Sequence, residues 1–559
     1  MMAEFDAIVV GSGITGGWAA KELTERGLKV LMIERGPELA HIAGYKNEWT
    51  SPWDLPFKGY GDPKAERTTK RVQSVARLNE WNADYFVDDE QELYETPAES
   101  NFQWVRGYHT GGRSIMWGRQ SYRMAPDYFE ANVRDGHGID WPIRYKDLAS
   151  WYDHVEEFIG VNGTIENMPI LPDGKFQPSM GFNAGEQHFA DLIKAHYRDR
   201  RLIPGRTANL TKPIGERGTC QYRNWCSRGC SFGAYFSTQS STLPAAVATG
   251  RLTQLHNGIV ESIEFDPQSR RATGVRIIDG ETGQRSIRTA RIVFLCAGAY
   301  DSVGILMRSV SESCPNGLGN SSDVLGRYIM DHAYKVGATS TIPGLDQAMY
   351  LGRKPNQVII PRFVNIDRQE TDFLRGYSFW GRSERMNWNR GGEIAGVGVG
   401  FKQALRKPGP WAITMGTVIE ALPRRENRIS INHDKLDKHG LPLTRIDLRY
   451  GDNEQKAARH AFDELMGMMK LLGGEILSAN REIAPPGSSI HEMGGACMGH
   501  DPQASVVNAF NQLHEAPNLF VTDGSVMCST GDRNPSLTYM ALTARAAAAA
   551  VSMAQEGKL

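Results

Sequence analysis

The stretch FDAIVVGSGITG at residues 5–16 decides the fold. An apolar run that is typical of a buried strand leads directly into the pattern G-x-G-x-x-G, formed by Gly11, Gly13 and Gly16. The first glycine of this pattern permits a tight turn, and the second lets the backbone approach a pyrophosphate. The pyrophosphate then lies at the N-terminus of the following helix. In this setting, directly after a strand, the motif predicts a dinucleotide-binding turn.

The residues that follow complete a βαβ unit. Residues 16–26 have the pattern of a helix, and Gly27 supplies its stop. Residues 28–33 form a second apolar strand run, which ends at Glu34, 23 positions after Gly11. An acid at this place accepts a hydrogen bond from a ribose hydroxyl. We therefore predict an α/β protein whose first domain is Rossmann-like.

Length and composition exclude several classes of protein. A chain of 559 residues is too long for one core, so we expect two or more domains. The net charge of −1 gives no reason to expect nucleic acid or an anionic membrane as a partner. No apolar run reaches the ~20 residues of a membrane span, so we expect no integral membrane protein. The first strand leaves no room for a signal peptide, which predicts a cytoplasmic location unless a partner carries an export signal.

The chain leaves the first domain and returns to it near the C-terminus. Residues 44–99 are rich in turns and lack periodicity, which is typical of loops that cover a site. Period-2 strands between 326 and 473 indicate a second domain built on an antiparallel sheet, and residues 519–524 resume the first pattern. We predict a substrate pocket where the two domains meet. The predicted division is a nucleotide domain of 1–45, 96–330 and 485–559, and a substrate domain of 46–95 and 331–484.

Three further segments, taken with the fingerprint, carry a family resemblance. They are RGYHTGGRSI at 106–115, AGAYDS at 297–302, and a C-terminal block with HEMGG at 491–495, DG at 523–524 and NPSLT at 534–538. This set resembles the glucose–methanol–choline (GMC) flavin oxidoreductases. The resemblance implies an FAD-binding domain with an inserted substrate domain. It assigns FAD contacts to Gly11, Gly13, Gly16, Glu34, Arg106, Gly111, Gly112, Ser114, Val260, Ala297, Gly298, Asp523, Gly524, Pro535, Leu537 and Thr538.

The resemblance also implies that FAD is not covalently bound. Met116 stands where some relatives, the pyranose oxidases, carry a histidine linked to the flavin. His109, which lies in the same loop, remains an alternative tether.

Two polar residues near the C-terminus are the candidate catalytic pair. Oxidation of an alcohol needs a base for the hydroxyl proton and an acceptor for the hydride. A histidine suits the first task because its ordinary pKa lies near neutrality. The resemblance gives this role to His491, with Asn534 holding the same oxygen. Asn534 precedes Pro535, which favours the start of a helix. His500 is the nearest rival histidine.

The segment 215–235 contains the cysteines Cys220, Cys226 and Cys230 in the spacing C-x5-C-x3-C. Their chemistry is compatible with three interpretations: a zinc site, a disulfide with one free thiol, or an iron–sulfur cluster. The segment resembles the large subunits of bacterial FAD-dependent glucose dehydrogenases, which hold a three-iron, four-sulfur (3Fe-4S) cluster with three cysteines at this spacing. The resemblance therefore implies a 3Fe-4S cluster, although Gln221 replaces a further cysteine of those enzymes.

A cluster beside the flavin predicts a dehydrogenase that passes electrons to an external acceptor. In the resembling systems the acceptor is a cytochrome c, and a small partner subunit carries a twin-arginine (Tat) export signal, which predicts a periplasmic location. An oxygen-using sugar or alcohol oxidase without a cluster is the main alternative. A flavin-binding subunit with no turnover of its own is a more distant one.

Residues 17–23 and 108–123 look most like glucoside 3-dehydrogenases, which oxidise the C3 hydroxyl of glucosides and disaccharides to a 3-keto sugar. Dehydrogenases of glucose, fructose or gluconate type, which act at C1 or C2, remain the alternative. Aromatic and polar residues alternate at 377–382 and 387–390, a mixture that is typical of sugar pockets and equally of a buried aromatic patch.

Overall fold

The computed structural model describes residues 4–349, 354–387, 390–391 and 394–559. Its strands are Phe5–Val10 (β1), Val30–Ile33 (β2), Ile203–Pro204 (β3), Leu252–Leu255 (β4), Gly258–Asp266 (β5), Arg271–Asp279 (β6), Arg285–Leu295 (β7), Ala333–Ile342 (β8), Val358–Ile360 (β9), Tyr377–Arg385 (β10), Trp411–Ile419 (β11), Arg428–Leu436 (β12), Pro442–Asp447 (β13), Ile476–Asn480 (β14) and Leu519–Val521 (β15). Its α-helices are Ile14–Glu25 (α1), Ala131–Asp135 (α2), Tyr145–Ile159 (α3), Ala184–His196 (α4), Thr242–Ala248 (α5), Ala299–Arg308 (α6), Gly398–Arg406 (α7), Asp452–Lys470 (α8) and Ser536–Gln555 (α9).

The first sheet has the predicted nucleotide-binding topology. Its parallel part runs in the order β4-β2-β1-β7-β15, and β6 and β5 continue it in antiparallel fashion from β7. All the residues of β2, and all but one of β1, are buried, because helices cover this part of the sheet. Strand β15, some 500 residues after β1 in the chain, completes the sheet and confirms that the chain returns to this fold.

The second sheet is antiparallel, as the period-2 pattern predicts. It has the order β14-β8-β11-β10-β9-β3. Helix α8 packs on β8 and β11, and helix α4 packs on β10 and β11. Their apolar faces form a separate core around Phe379, Ile413 and Leu465. The fold class is therefore the predicted one, a Rossmann-like domain with an antiparallel second sheet.

Two elements pack across the predicted division of the chain. The hairpin β12–β13 contributes Ile429 and Ile446 to the core of the first sheet, although it lies within the predicted substrate domain. Helix α4 contributes Phe189 to the second core, although it lies within the predicted nucleotide domain. The order of the segments in the chain does not reveal which core such an element joins. The choice depends on which neighbouring surface covers its apolar face.

Helix α9 is the one described helix that is long and apolar enough to cross a membrane by length and composition. Residues such as Met540 and Ala547 are buried within the protein, and α9 packs against α1 and α3. Its apolar character therefore serves the core of the first domain.

Candidate active site

A cavity of about 510 Å³ lies between the carboxyl ends of β1, β7 and β15 and the second sheet. Ligands of open α/β sheets bind in such a position. The predicted residues that line it are Gly11, Gly13, Glu34, Arg106, Gly112, Ser114, Val260, Ala297, Gly298, His491, Asp523, Gly524, Asn534 and Pro535. Those that do not line it are Gly16, Gly111, Leu537, Thr538 and the three cysteines.

The glycine turn has the geometry that a pyrophosphate needs. Gly11 has φ of +89°, and a Cβ there would lie 2.5 Å from the carbonyl oxygen of Cys296. A Cβ on Gly16 would lie 1.9 Å from the carbonyl oxygen of Gly11, so this glycine lets α1 pack on the turn. A Cβ on Gly13 would meet nothing within 4 Å, so its backbone is open to the cavity. The turn therefore fits the phosphates of FAD.

Glu34 joins the end of β2 to the glycine turn. Its carboxylate accepts hydrogen bonds from the Ser12 amide at 3.1 Å, the Ser12 hydroxyl at 2.5 Å and the Gly36 amide at 3.0 Å. Burial raises the pKa of Glu34. Its place in the cavity wall is where the sequence predicts the ribose of FAD.

The predicted flavin loop folds against the glycine turn. Gly111 and Gly112 both have positive φ, and the Gly111 amide donates to the Ser12 hydroxyl at 2.8 Å. Met116 lines the cavity, whereas His109 does not. The His109 ring is buried and its Nδ1 lies 3.0 Å from the carbonyl oxygen of Thr110. This arrangement favours the prediction that FAD is held without a covalent bond.

Asp523 brings together the two remaining signature segments. Its carboxylate accepts from the Gly298 amide at 3.2 Å and from the Ser302 hydroxyl at 2.5 Å. It also accepts from the amide and the hydroxyl of Ser525, at 3.0 and 2.6 Å. The segments at 297–302 and 523–524 are therefore one wall of the cavity.

The predicted catalytic pair, His491 and Asn534, is brought together at the same cavity. The Asn534 Nδ2 atom lies 2.7 Å from His491 Nε2, and its Oδ1 atom is buried without a hydrogen-bond partner among the described residues. Burial, the neighbouring His332 and the positive Arg113 lower the pKa of His491 well below its usual value. His491 is therefore a neutral imidazole that can accept a proton.

Leu537 and Thr538 follow Asn534 and Pro535 in the chain but do not line the cavity. Both are fully buried in the first turn of α9, and the Thr538 hydroxyl lies 2.9 Å from that of Tyr152. The predicted FAD contact of these two residues stays a prediction. His500 is exposed at the surface and takes no part in the cavity.

Sequence reasoning missed two residues behind His491, namely Asp331 and His332. Asp331 accepts from the backbone amide of His491 at 3.0 Å, and His332 Nδ1 lies 3.0 Å from His491 Nδ1. The only local signal is an Asp-His pair just before an apolar strand, and this signal does not reveal a contact across 159 residues.

The lining of the cavity also contains aromatic and polar side chains. They include Trp117, Gln120, Lys335, Gln357 and Trp380. A ring of tryptophan with nearby amide groups can contact both the apolar faces and the hydroxyls of a sugar.

The predicted aromatic run contributes only in part to the cavity. In 377–382, Trp380 lines it, but the Tyr377 hydroxyl points to His460 Nδ1 at 2.7 Å. Arg390 donates to carbonyl oxygens at the end of α7, including that of Lys407 at 2.6 Å. The predicted Trp388 and Asn389 lie outside the described residues.

The three cysteines lie in one loop, but their thiols are not close enough together to bind a metal ion. Cys220, Cys226 and Cys230 are free and half-buried, and burial raises the pKa of Cys220 to about 11. No group of three His, Cys, Asp or Glu side chains in the described ranges is gathered closely enough to hold a metal ion. The loop nevertheless touches the cavity, because Ser227 lines it. A cluster in this loop stays a proposal.

Sequence models of known families match three parts of the chain. Two models described as GMC oxidoreductase match residues 206–334 and 423–543. A model described as FAD dependent oxidoreductase matches residues 6–135.

Known proteins resemble the chain over nearly its whole length. The fructose dehydrogenase large subunit of Gluconobacter japonicus is 25% identical over 99% of this chain and 98% of its own. The 2-methyl-1,2-propanediol dehydrogenase of Mycolicibacterium austroafricanum is 27% identical over 97% of this chain and 94% of its own. The crystal structure of a pyridoxine 4-oxidase covers 97% of this chain and 98% of that chain at a TM-score of 0.58 and 17% identity, which shows a shared fold.

Proposed function

Because this chain belongs to the GMC oxidoreductase family and binds FAD, we propose that it oxidises a secondary alcohol of a sugar to a ketone. The observation that carries this proposal is the contact between His491 and Asn534 at the wall of the cavity that the glycine turn opens into. The proton acceptor and the dinucleotide-binding turn therefore lie at one cavity. Alcohol oxidation requires this arrangement, because the base and the hydride acceptor must both reach the same substrate.

FAD supplies the hydride acceptor when it is bound. The chain's own residues handle the proton and the position of the substrate. His491 accepts the hydroxyl proton at Nε2, and the side chain of Asn534 holds the alcohol oxygen beside it. Residues of the second sheet, including Trp380 and Val418, line the cavity in which these groups lie.

We propose a glucoside or disaccharide as the substrate and its C3 hydroxyl as the reacting group. The resemblance of residues 17–23 and 108–123 to glucoside 3-dehydrogenases supports this choice, as does the tryptophan and amide lining near Trp380. A relative that is named for fructose supports a sugar as the substrate class and keeps oxidation at C1 or C2 as the alternative.

We propose that Cys220, Cys226 and Cys230 would hold a 3Fe-4S cluster, which would supply a route for electrons out of the protein. Their spacing and their loop beside the cavity support this, whereas the separation of the thiols in the structure does not. The loop would have to draw the three sulfur atoms together around the cluster. No step of the mechanism above depends on it.

The partner proteins follow from the same proposal. We propose a small subunit that carries a Tat signal and a cytochrome c as the electron acceptor. A relative that is named as a large subunit supports the presence of a further subunit. Export with that subunit would place the protein in the periplasm. A cytoplasmic enzyme without these partners remains the alternative.

The second candidate is an oxygen-using oxidase, which the ungathered thiols favour. Anaerobic addition of methyl glucoside to the purified protein tests both candidates. We expect bleaching of the flavin absorbance, together with an iron signal in the EPR spectrum of the oxidised protein that disappears on reduction. Bleaching without iron, followed by rapid reoxidation in air, would support the oxidase.

Two variants test the catalytic assignment. We expect His491→Ala to slow flavin reduction by about 10²–10⁴-fold, because a positioned base contributes that much. The matched control is His500→Ala, since His500 is exposed. An unchanged rate of flavin reduction in the His491 variant would overturn the proposed function.

A further inference from the structure

The segment just before β8 controls both the backbone and the side chain of His491. The carboxylate of Asp331 accepts from the backbone amides of Gly487 at 2.8 Å and His491 at 3.0 Å. It also accepts from the hydroxyl of Ser489. These bonds fix the loop from which His491 projects.

The side chain of the next residue, His332, meets the ring of His491 from behind. The two Nδ1 atoms lie 3.0 Å apart, and the rings are perpendicular, with an interplanar angle of 87°. The other ring nitrogen of His332, Nε2, lies 2.9 Å from the carbonyl oxygen of Gly531. His332 is fully buried.

These contacts determine where each proton sits. A carbonyl oxygen only accepts, so Nε2 of His332 must carry a hydrogen and donate it to Gly531. Burial lowers the pKa of His332 to about 4, so its ring is neutral and its Nδ1 is bare. A bare Nδ1 can only accept, and therefore Nδ1 of His491 must donate to it.

The neutral His491 ring is then left with a bare Nε2 atom. This is the atom that Asn534 Nδ2 approaches at 2.7 Å, at the edge of the cavity. The amide of Asn534 donates to this atom, so Nε2 of His491 is a hydrogen-bond acceptor. The hydrogen bonds therefore run in one direction: Asn534 donates to His491, His491 donates to His332, and His332 donates to the carbonyl oxygen of Gly531.

We propose that His332 is a positioning residue that holds His491 in the tautomer with hydrogen on Nδ1, so that Nε2 is an acceptor. A substrate hydroxyl that donates to Nε2 takes the place of the Asn534 amide, which then donates to the substrate oxygen. This proposal rests on the proposed function. In the proton transfer the substrate O–H bond breaks and a bond from hydrogen to Nε2 of His491 forms. The Nδ1 hydrogen of the resulting imidazolium still donates to His332.

Charged groups surround the two rings without replacing this contact. Asp532 and Arg533, which form a buried ion pair, lie close to His332, and Arg113 lies close to His491. Asp331 contacts the backbone of His491 and not its ring. A neutral acceptor behind His491 fixes its orientation without adding a negative charge that would raise its pKa.

The tautomer can be measured directly on the FAD-bound wild-type protein by ¹⁵N NMR with labelled histidine. We expect His491 to carry hydrogen on Nδ1 and none on Nε2, with assignment by loss of the signals in His491→Ala. Hydrogen on Nε2 of His491 would overturn the proposal. This measurement does not depend on which substrate the enzyme oxidises.

Variants of His332 test the consequence. We expect His332→Leu to lower the rate of flavin reduction by about 10²-fold, with less change in KM and FAD content, because His491 loses its acceptor. His332→Gln, whose amide can both donate and accept, should recover at least a tenth of the wild-type rate.

The matched control is His460→Leu, in which the lost partner is the hydroxyl of Tyr377. An unchanged rate in His332→Leu, or no difference between the Leu and Gln variants, would overturn the proposal. If the Leu variant does not fold, the NMR result for the wild-type protein still decides. A failure of the proposed function shows itself separately, as wild-type flavin that no sugar reduces.

Discussion

Arg113 and Glu492 form a bidentate ion pair that links the predicted flavin loop to the segment that carries the proposed base, His491. The two guanidinium Nη atoms donate to the two carboxylate oxygens at 2.8 and 2.7 Å. Glu492 follows His491 directly, and its side chain is only 3% exposed. The position of the base relative to the flavin loop therefore depends on a bond between residues that lie 379 positions apart.

Arg113→Ala should destabilise the protein by about 3 kcal/mol, because it leaves the buried carboxylate of Glu492 without its partner. Urea denaturation measures this change. The double variant Arg113→Ala/Glu492→Ala should be less destabilised than the sum of the single variants. The control is Arg449→Ala, whose ion pair with Asp447 is exposed to solvent and should change the stability little.

Gly13→Ala should weaken FAD binding without unfolding the protein. Its added Cβ meets no protein atom within 4 Å but projects into the space predicted for the pyrophosphate. We expect FAD affinity to fall by about tenfold or more, which fluorescence titration of the apoprotein measures, with little change in the melting temperature of the apoprotein. The control is Gly400→Ala in α7, where a Cβ also meets nothing. Unaltered FAD affinity would show that the pyrophosphate lies elsewhere.

The local sequence predicts the first domain well because strand, glycine turn and acid act over short distances. Gly11 and Gly16 fulfil backbone roles that need no knowledge of the rest of the chain. Family resemblance was needed for His491 and Asn534, since nothing local joins two residues 43 positions apart.

Other parts of the site could not be predicted because they arise from packing between distant segments. His332 meets His491 only because β8 begins beside the loop at 487–491. Trp380 reaches the cavity and Tyr377 does not, because alternate residues of β10 face opposite sides of the sheet. Sequence patterns give this alternation but not the side on which the substrate lies.

Trp380→Ala should weaken the binding of sugars more than that of small alcohols. The indole lines the cavity and is held in place by its bond to the Ser378 hydroxyl at 2.7 Å and by the ring of Tyr122. We expect the KM for methyl glucoside to rise by about tenfold, and the KM for a small diol to change little, because only a sugar ring is large enough to contact the indole. The control is Trp151→Ala on α3, away from the cavity. An equal effect on both substrates would contradict a sugar-binding role.

The pH profile of kcat/KM should report the depressed pKa of His491. The base must be neutral to accept a proton, and burial lowers its pKa well below the usual 6.5. Activity should therefore be level from about pH 8 down past 6.5, and should fall only in more acidic solution, as the imidazole becomes protonated.

One neighbouring group can produce a second acid limb in this profile. Burial raises the pKa of Asp331 to about 6, and its carboxylate holds the His491 backbone. Protonation of Asp331 as the pH falls through 6 would weaken that hold and lower the rate. The limb near pH 6 should be absent in Asp331→Asn, whereas the limb of His491 at lower pH should persist. A midpoint at or above 6.5 in both proteins would contradict a buried, neutral His491 as the base.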